Sequence, residues 1–295
     1  MDKIKKNDVI YLGVPDRSIS FDCAFRVLNP EKTNTGKDGM FLVSENLISG
    51  KKRKGILFKK AKKPYDNKYQ DSNVRKWCHN FYEEHFYEIE KNAILKTTKT
   101  DEAYTKIHYW DLLHHQKKEG KCPFVKEENI LENDSVFPMS TEEADKKEYG
   151  FDDELRRIAF LNGKPQGYWL RSPHTDDFPK DVGLVFHNGW LLDFLEDKNS
   201  IFHVAKICMR PALNLNRLTV KEFVPVGDNS RGYQEWVLRY EGETDKDFQR
   251  RMEQYEFNRR FVPKKPLQKQ KINAFFRFFL TLFVNQVEKN RTKEK

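Results

Sequence analysis

No stretch of this 295-residue chain approaches the roughly 18 consecutive apolar residues of a membrane-spanning helix, so no transmembrane segment is expected. Cysteine is scarce. Cys23, Cys78, Cys122 and Cys208 are the whole complement, and none forms a Cys-x-x-Cys pair. Residues 1–8 also lack the apolar core of a secretion signal. Together these features argue for free thiols and a cytoplasmic setting. The chain carries no Gly-rich phosphate loop, no Gly-x-Ser-x-Gly elbow, no His-Glu-x-x-His pair and no paired-carboxylate motif. The usual signals of nucleotide hydrolases, serine hydrolases, zinc peptidases and glycosidases are thus missing, and no catalytic residue, cofactor or metal is expected. There is no internal repeat.

What the chain does have is charge and aromatic rings. Charged residues make up 34% and aromatics 14%, with 23 Phe, so the rings supply a core that the aliphatic residues alone would not. The net charge of +9 is concentrated. Residues 51–63 hold eight basic residues (Lys51, Lys52, Arg53, Lys54, Lys59, Lys60, Lys62 and Lys63) and no acidic one. Residues 242–295 hold 14 basic and seven acidic residues, which leaves the remainder mildly acidic. Two basic patches on an acidic body favour anionic partners such as nucleic acid, acidic membrane or acidic protein.

The clearest strand and turn signals lie in residues 167–215. Tyr168-Trp169-Leu170 is an apolar run stopped by Ser172-Pro173, and residues 182–186 are rich in β-formers. Asn188-Gly189 follows, then a second apolar run from Trp190. Asn-Gly between two such runs predicts a hairpin with a type I′ turn, which needs two residues tolerant of positive φ. A further run, Ile207-Cys208-Met209, is expected to end at Arg210-Pro211. Strands are also expected over 8–14, 21–28 and 40–43. Helices are expected over 72–95, capped by Ser72, and from the capping box Ser140-Thr141-Glu142-Glu143. A short helical pattern runs over 153–161 and is stopped by Asn162-Gly163. After Asn216 the pattern gives a β-like run over 219–226, an ambiguous segment over 232–240 and a charged helix over 245–261. A Phe-rich helix is expected over 271–287.

Several blocks resemble one known family. Residues 168–173 (Tyr-Trp-Leu-Arg-Ser-Pro), the Asn-Gly hairpin, and residues 209–215 (Met-Arg-Pro-Ala-Leu-Asn-Leu) are similar to the closing part of a bacterial domain of unknown function, number 6273, with Met209 in place of the usual Val. Residues 25–28 and 40–44 resemble its opening hairpin. Residues 72–77 with Phe81-Tyr82 resemble its first helix, and residues 136–140 with Glu142-Glu143-Ala144 its next step. The resemblance covers about residues 7–216. It implies an α+β fold of C-type-lectin-like outline, similar to formylglycine-generating enzymes, with a mixed, mostly antiparallel sheet and flanking helices. It implies a fold and no activity. The division expected is a lectin-like domain over 1–216 and a basic, largely helical extension over 217–295.

Candidate sites follow from residue type. Arg171 and Arg210 match the family's two arginines. They either line an anion or carbohydrate pocket with Trp169, His187 and Trp190, or satisfy backbone carbonyls at strand ends. If 104–117 is helical, His108, Asp111 and His115 share a face beside His114, with Cys122 downstream. The spacing matches no known ligand pattern, however, and Tyr109, Trp110, Leu112 and Leu113 interrupt it, so an amphipathic helix is the expectation. Cys208 is the candidate for formylglycine-type copper chemistry and is expected to be a buried thiol. In 51–63, Ile56-Leu57-Phe58 interrupts the charges as a possible anchor for a phosphate-contacting loop. The Phe-rich face of 271–287 favours a protein partner or self-association, with a membrane surface as the other use. The expected function is a non-catalytic recognition module. A nucleic-acid-associated protein using 51–63 and 250–271 is the first alternative, and a formylglycine-type oxidase the second.

Overall fold

The computed structural model describes residues 4–51, 54–58, 67–101, 106–111, 116–121, 130–173, 182–192 and 207–259. The chain opens with β1 (Val9–Tyr11), β2 (Ala24–Asn29) and β3 (Met40–Ser44). Helix α1 (Asn73–His85) starts where the Ser72 hydroxyl accepts the Arg75 amide at 3.0 Å, satisfying one of the unpaired donors of the first turn. After α2 (Glu88–Ala93) come β4 (Ile94–Leu95), β5 (Thr97–Thr100), β6 (Lys106–Asp111), β7 (Gln116–Lys121), β8 (Ile130–Asp134) and β9 (Val136–Pro138). The expected helix over 104–117 is therefore not formed. Without it, the shared face proposed for His108, Asp111 and His115 is lost. His114, His115 and Cys122 lie outside the described residues.

The Ser140 capping box forms as expected and opens α3 (Thr141–Asp145). The next helix, α4 (Glu154–Arg157), is shorter than its sequence pattern, because residues 159–161 turn into a strand. That strand, β10 (Ala159–Leu161), pairs with β11 (Lys164–Gln166) across Asn162-Gly163. Both turn residues have positive φ, 50° and 76°, so the two-residue type I′ hairpin sits here. The other Asn-Gly pair closes a hairpin of a different kind. It joins β13 (Val182–Val185), which pairs with β12 (Tyr168–Pro173), to β14 (Leu191–Leu192), but only Gly189 has positive φ. The Gly189 amide donates to Phe186 O and the Phe186 amide to Trp190 O, which makes a longer loop with glycine in the left-handed position.

Gly189 is required for a second reason. A Cβ there would lie 1.7 Å from the carbonyl oxygen of Glu154, while the Gly189 carbonyl accepts Arg157 Nε at 2.8 Å. The loop is thus held against α4 backbone to backbone. Gly189→Ala should cost about 2–3 kcal/mol from strain and displacement of the loop. Chemical denaturation reads this, and loss of the Trp190 fluorescence environment should accompany it.

The last elements are β15 (Pro211–Leu215), β16 (Val220–Asp228), β17 (Gln234–Tyr240) and α5 (Asp245–Arg259). Pro211, expected to end a strand, begins one, a position where its missing N–H removes no necessary ladder bond. The main sheet has eight strands in the order β16-β17-β1-β2-β3-β15-β4, with β9 also paired to β15. All its pairs are antiparallel except β1 with β17. A five-stranded sheet runs β12-β13-β14-β6-β7. The fold is thus α+β, antiparallel-rich, with five α-helices among the described residues.

Strands β1, β3, β12 and β15 are buried at every position, so the sheets are covered on both faces. Edge-to-face phenylalanines dominate the packing: Phe21 lies 4.8 Å from Phe81, and Phe81 5.6 Å from Phe86. Residues 220–240 are strands of the main sheet rather than a helical appendage. Trp236 Nε1 donates to Asp8, and Glu235 accepts the Tyr11 hydroxyl, both at 3.0 Å. The helical part of the extension begins at Asp245. Residues 260–295, including the Phe-rich 271–287, lie outside the described residues.

Candidate functional site

The five side chains singled out as pocket residues differ in burial and bonding. Trp169 is fully buried; its indole N–H donates to Ile56 O at 2.7 Å, and its ring packs edge-on to Phe58 at 5.5 Å. Ile56 and Phe58 thereby anchor the basic stretch in the core. Lys51 and Lys54 are exposed, with Lys51 Nζ 3.8 Å from Glu84. Lys52, Arg53, Lys59, Lys60, Lys62 and Lys63 lie outside the described residues. His187 and Trp190 are half-buried in the β13–β14 loop, where burial pushes the imidazole pKa down.

Arg171 is closed to any ligand. All five guanidinium N–H groups are used, two on Asp101 (3.0 and 2.5 Å), two on Glu143 (2.6 and 3.0 Å) and one on Pro138 O (2.8 Å). Arg171, Asp101 and Glu143 are all essentially inaccessible. Lys99 Nζ adds a second cation 2.8 Å from Glu143 and 3.8 Å from Asp101. Glu143 also accepts the Ser140 amide and Asn34 Nδ2, and Asn34 is tied through Asn214 to Thr97. Burial alone would push the Glu143 carboxyl up, but Arg171 and Lys99 outweigh it and hold it well below the ordinary range. Burial likewise opposes the Arg171 charge, and the two carboxylates more than restore it.

Arg210 is the opposite case. It is equally inaccessible, yet it has no carboxylate bonded to it. Nε donates to Ser44 O at 3.1 Å, and Nη1 reaches the Tyr168 hydroxyl at 3.3 Å and Arg157 O at 3.4 Å. Among the described residues, Nη2 is buried with no partner, as is the Ser44 hydroxyl. The Tyr168 ring, 5.4 Å away, and the Phe151 ring, 5.7 Å away, face the cation. Burial lowers the Arg210 pKa, with Arg26 adding to the effect.

Around it lie Arg26, Glu45 and Arg231. Glu45 bridges the other two arginines, 2.6 Å from Arg26 Nε and 3.2 Å from Arg231 Nη1. Burial would raise the Glu45 carboxyl, but Arg26, Arg231 and Arg210 together bring it down to about 2. Three guanidinium groups therefore act on one carboxylate. Among the described residues, the Arg171 and Arg210 systems share no bonded partner, and each arginine donates to backbone carbonyls, Pro138 O for Arg171 and Ser44 O and Arg157 O for Arg210.

Arg26, Glu45, Arg231, Asp101 and Glu143 were not legible as site residues. The one local sign was a charge interrupting an apolar strand at Arg26 and following one at Glu45. Cys208 is buried, and burial raises its thiol to about 11, the reverse of an activated thiolate. Cys23 and Cys78 are buried free thiols as well. Among the described residues, no group of three or more His, Cys, Asp or Glu is placed to hold a metal. No helix among them is long and apolar enough to cross a membrane.

No curated protein and no solved structure matches the chain significantly. A family profile does match, over residues 37–217, which runs from the start of β3 past the end of β15 and takes in both Arg171 and Arg210. On that match, which spans more than half the chain, the protein belongs to the family described as Domain of unknown function (DUF6273).

Proposed function

We propose that the chain is a non-catalytic recognition module of C-type-lectin-like outline, with a C-terminal segment, 271–287, that recruits a protein partner or a second copy. The observation that supports it is the contrast between the two family arginines. Arg171 is neutralised and fully bonded within the frame, whereas Arg210 keeps an unbonded donor beside Arg26 and Arg231. A surplus of fixed donors is binding chemistry; it supplies neither a nucleophile nor a base. A cytoplasmic location fits the buried free thiols.

A second reading, nucleic-acid association through 51–63 and 250–271, is favoured by the exposed Lys51 and Lys54 on a stretch fixed by Ile56 and Phe58, and by Arg250, whose side chain faces solvent. The formylglycine-type oxidase is the weakest reading, because it needs a thiolate where Cys208 is a buried thiol.

The test compares the full chain with a chain ending at Pro263. A cut at 216 would remove two strands of the main sheet, whereas Pro263 ends the first compact unit. Sedimentation and pull-down should show a partner or self-association that survives 0.5 M salt, about the regime in which phosphate-driven binding has collapsed. It should be lost on truncation at Pro263. Capture of nucleic acid alone, released by salt, would replace this reading with the second one. Flotation of the full chain with anionic vesicles would assign 271–287 to membrane surfaces instead.

A further inference from the structure

A buried arginine without a counter-ion is costly, because a charge removed from water must be compensated locally. Arg171, Arg157 and Arg251 obey this rule: each is bonded to at least one carboxylate. Arg210 does not. Among the described residues, its Nη2 and the Ser44 hydroxyl are two buried polar groups left unbonded, on side chains whose residues are joined by the bond from Arg210 Nε to the Ser44 carbonyl. Unsatisfied buried donors mark a place where a polar guest belongs.

The neighbours decide what kind of guest. Arg26 uses only Nε on Glu45, and Arg231 only Nη1, so both present further N–H groups. Glu45 is already shared between them. Asp22, the carboxylate next to Glu45, bonds Asn46 and the Ala24 amide rather than an arginine. The cluster therefore holds more guanidinium than carboxylate, and planar guanidinium forks match tetrahedral oxyanions in pairs. Arg231 stands at the solvent side, its side chain 29% exposed. It sits in the β16–β17 turn, where Asn229 accepts the Arg231 and Tyr233 amides and Gly232 takes a positive φ of 77°. That turn and Arg26 both lie outside the family match, so residues on either side of the matched segment complete the cluster.

We infer that Arg26, Arg210 and Arg231, with Ser44, form a site for a phosphate group, entered from the Arg231 side. The inference rests on the reading of the chain as a recognition module and names the chemistry it recognises. Arg231 and Arg26 clasp the oxyanion, and Arg210 supplies the charge beneath it.

The experiment is calorimetric titration of the full chain with inorganic phosphate at fixed ionic strength, with sodium chloride as the matched control and glycerol phosphate as a monoester arm. Saturable binding with one site is expected for phosphate and not for chloride. Arg231→Gln, a change in an exposed turn, should weaken it by about tenfold or more, the loss of one charge-assisted pair. Lys164→Gln with Lys246→Gln, two exposed lysines elsewhere on the chain, should leave it unchanged. Tighter binding of the monoester would point to a small phosphorylated molecule and equal binding to free phosphate; both support the site. Heats that match chloride, or an Arg231→Gln variant that binds as well as the parent, would overturn it, as would equal loss in the lysine variant. None of these three outcomes touches partner retention through 264–295, so a failed phosphate site and a failed recruiting segment are told apart.

Discussion

Replacing Arg171 with methionine is expected to lower the stability of the fold by about 3–5 kcal/mol at neutral pH. Methionine fills much of the same space but supplies none of the five N–H groups that hold Asp101, Glu143 and the Pro138 carbonyl together. Two fully buried carboxylates would then lose the guanidinium that neutralises them, and a buried charge deprived of its main counter-ion is far more harmful than a missing contact. The pH dependence carries the diagnosis. In the parent, Glu143 is held below the ordinary value of about 4.5, so its contribution is complete above that pH and is lost as pH falls further. In the variant the lowering influence of Arg171 is gone and burial remains, so the carboxyl rises and takes up a proton at higher pH. Urea unfolding curves for parent and variant should therefore converge between pH 7.5 and pH 5. A variant within 1 kcal/mol of the parent at pH 7.5 would show that the ion network does not hold this part of the fold.

The network also explains what could and could not be read from the sequence. The Ser72 cap and the Ser140 box were legible because the interacting groups are three residues apart. Asn188-Gly189 read as a hairpin and Asn162-Gly163 only as the stop of a helical pattern, yet the type I′ turn fell on Asn162-Gly163. There Leu161 pairs with Lys164 across two residues, whereas the Asn188-Gly189 loop spans Phe186 to Trp190. A dipeptide reports a tolerance for positive φ; the strand register around it decides the turn. The conditional helix over 104–117 failed because Ile107, Tyr109 and Trp110 suit a strand as well as a helix, and a short apolar run does not tell the two apart. The pairing of β1 with β17 was beyond reach. Asp8 and Trp236 are 228 residues apart, and no local pattern encodes a parallel neighbour that distant. The arginine cluster is hidden for the same reason, since Arg26, Glu45, Arg210 and Arg231 come from four parts of the chain.

That distant pairing gives the appended segment a structural role that can be measured. Arg251→Leu is expected to release α5 from the sheet at a cost of about 3–5 kcal/mol in docking free energy. Arg251 bonds Glu243 through Nε (2.7 Å) and Nη2 (2.8 Å), reaches Glu90 through Nη1 (3.3 Å), and donates to Leu238 O. The Tyr240 ring faces it at 5.1 Å. Glu90 in turn accepts the Gly13 and Tyr87 amides and the Tyr255 hydroxyl, so one buried carboxylate joins the β1–β2 connection, α2 and α5. Leucine would leave Glu90 and Glu243 buried without their cation. Amide exchange over 245–259 should accelerate by two to three orders of magnitude while β2, β3 and β15 stay protected, which makes the loss local. Burial already holds the Glu90 carboxyl above its ordinary value, against the pull of Arg251. Removing that pull raises it further, and a carboxyl with a raised folded-state pKa favours the folded state as pH falls. The variant's deficit should therefore shrink from pH 8 to pH 5. Arg251→Lys keeps the charge without the fork and should recover only part of the protection. Uniform exchange across the sheet would mean that α5 and the family domain unfold as one unit. A deficit independent of pH would mean that Glu90 is not the group left exposed to the change.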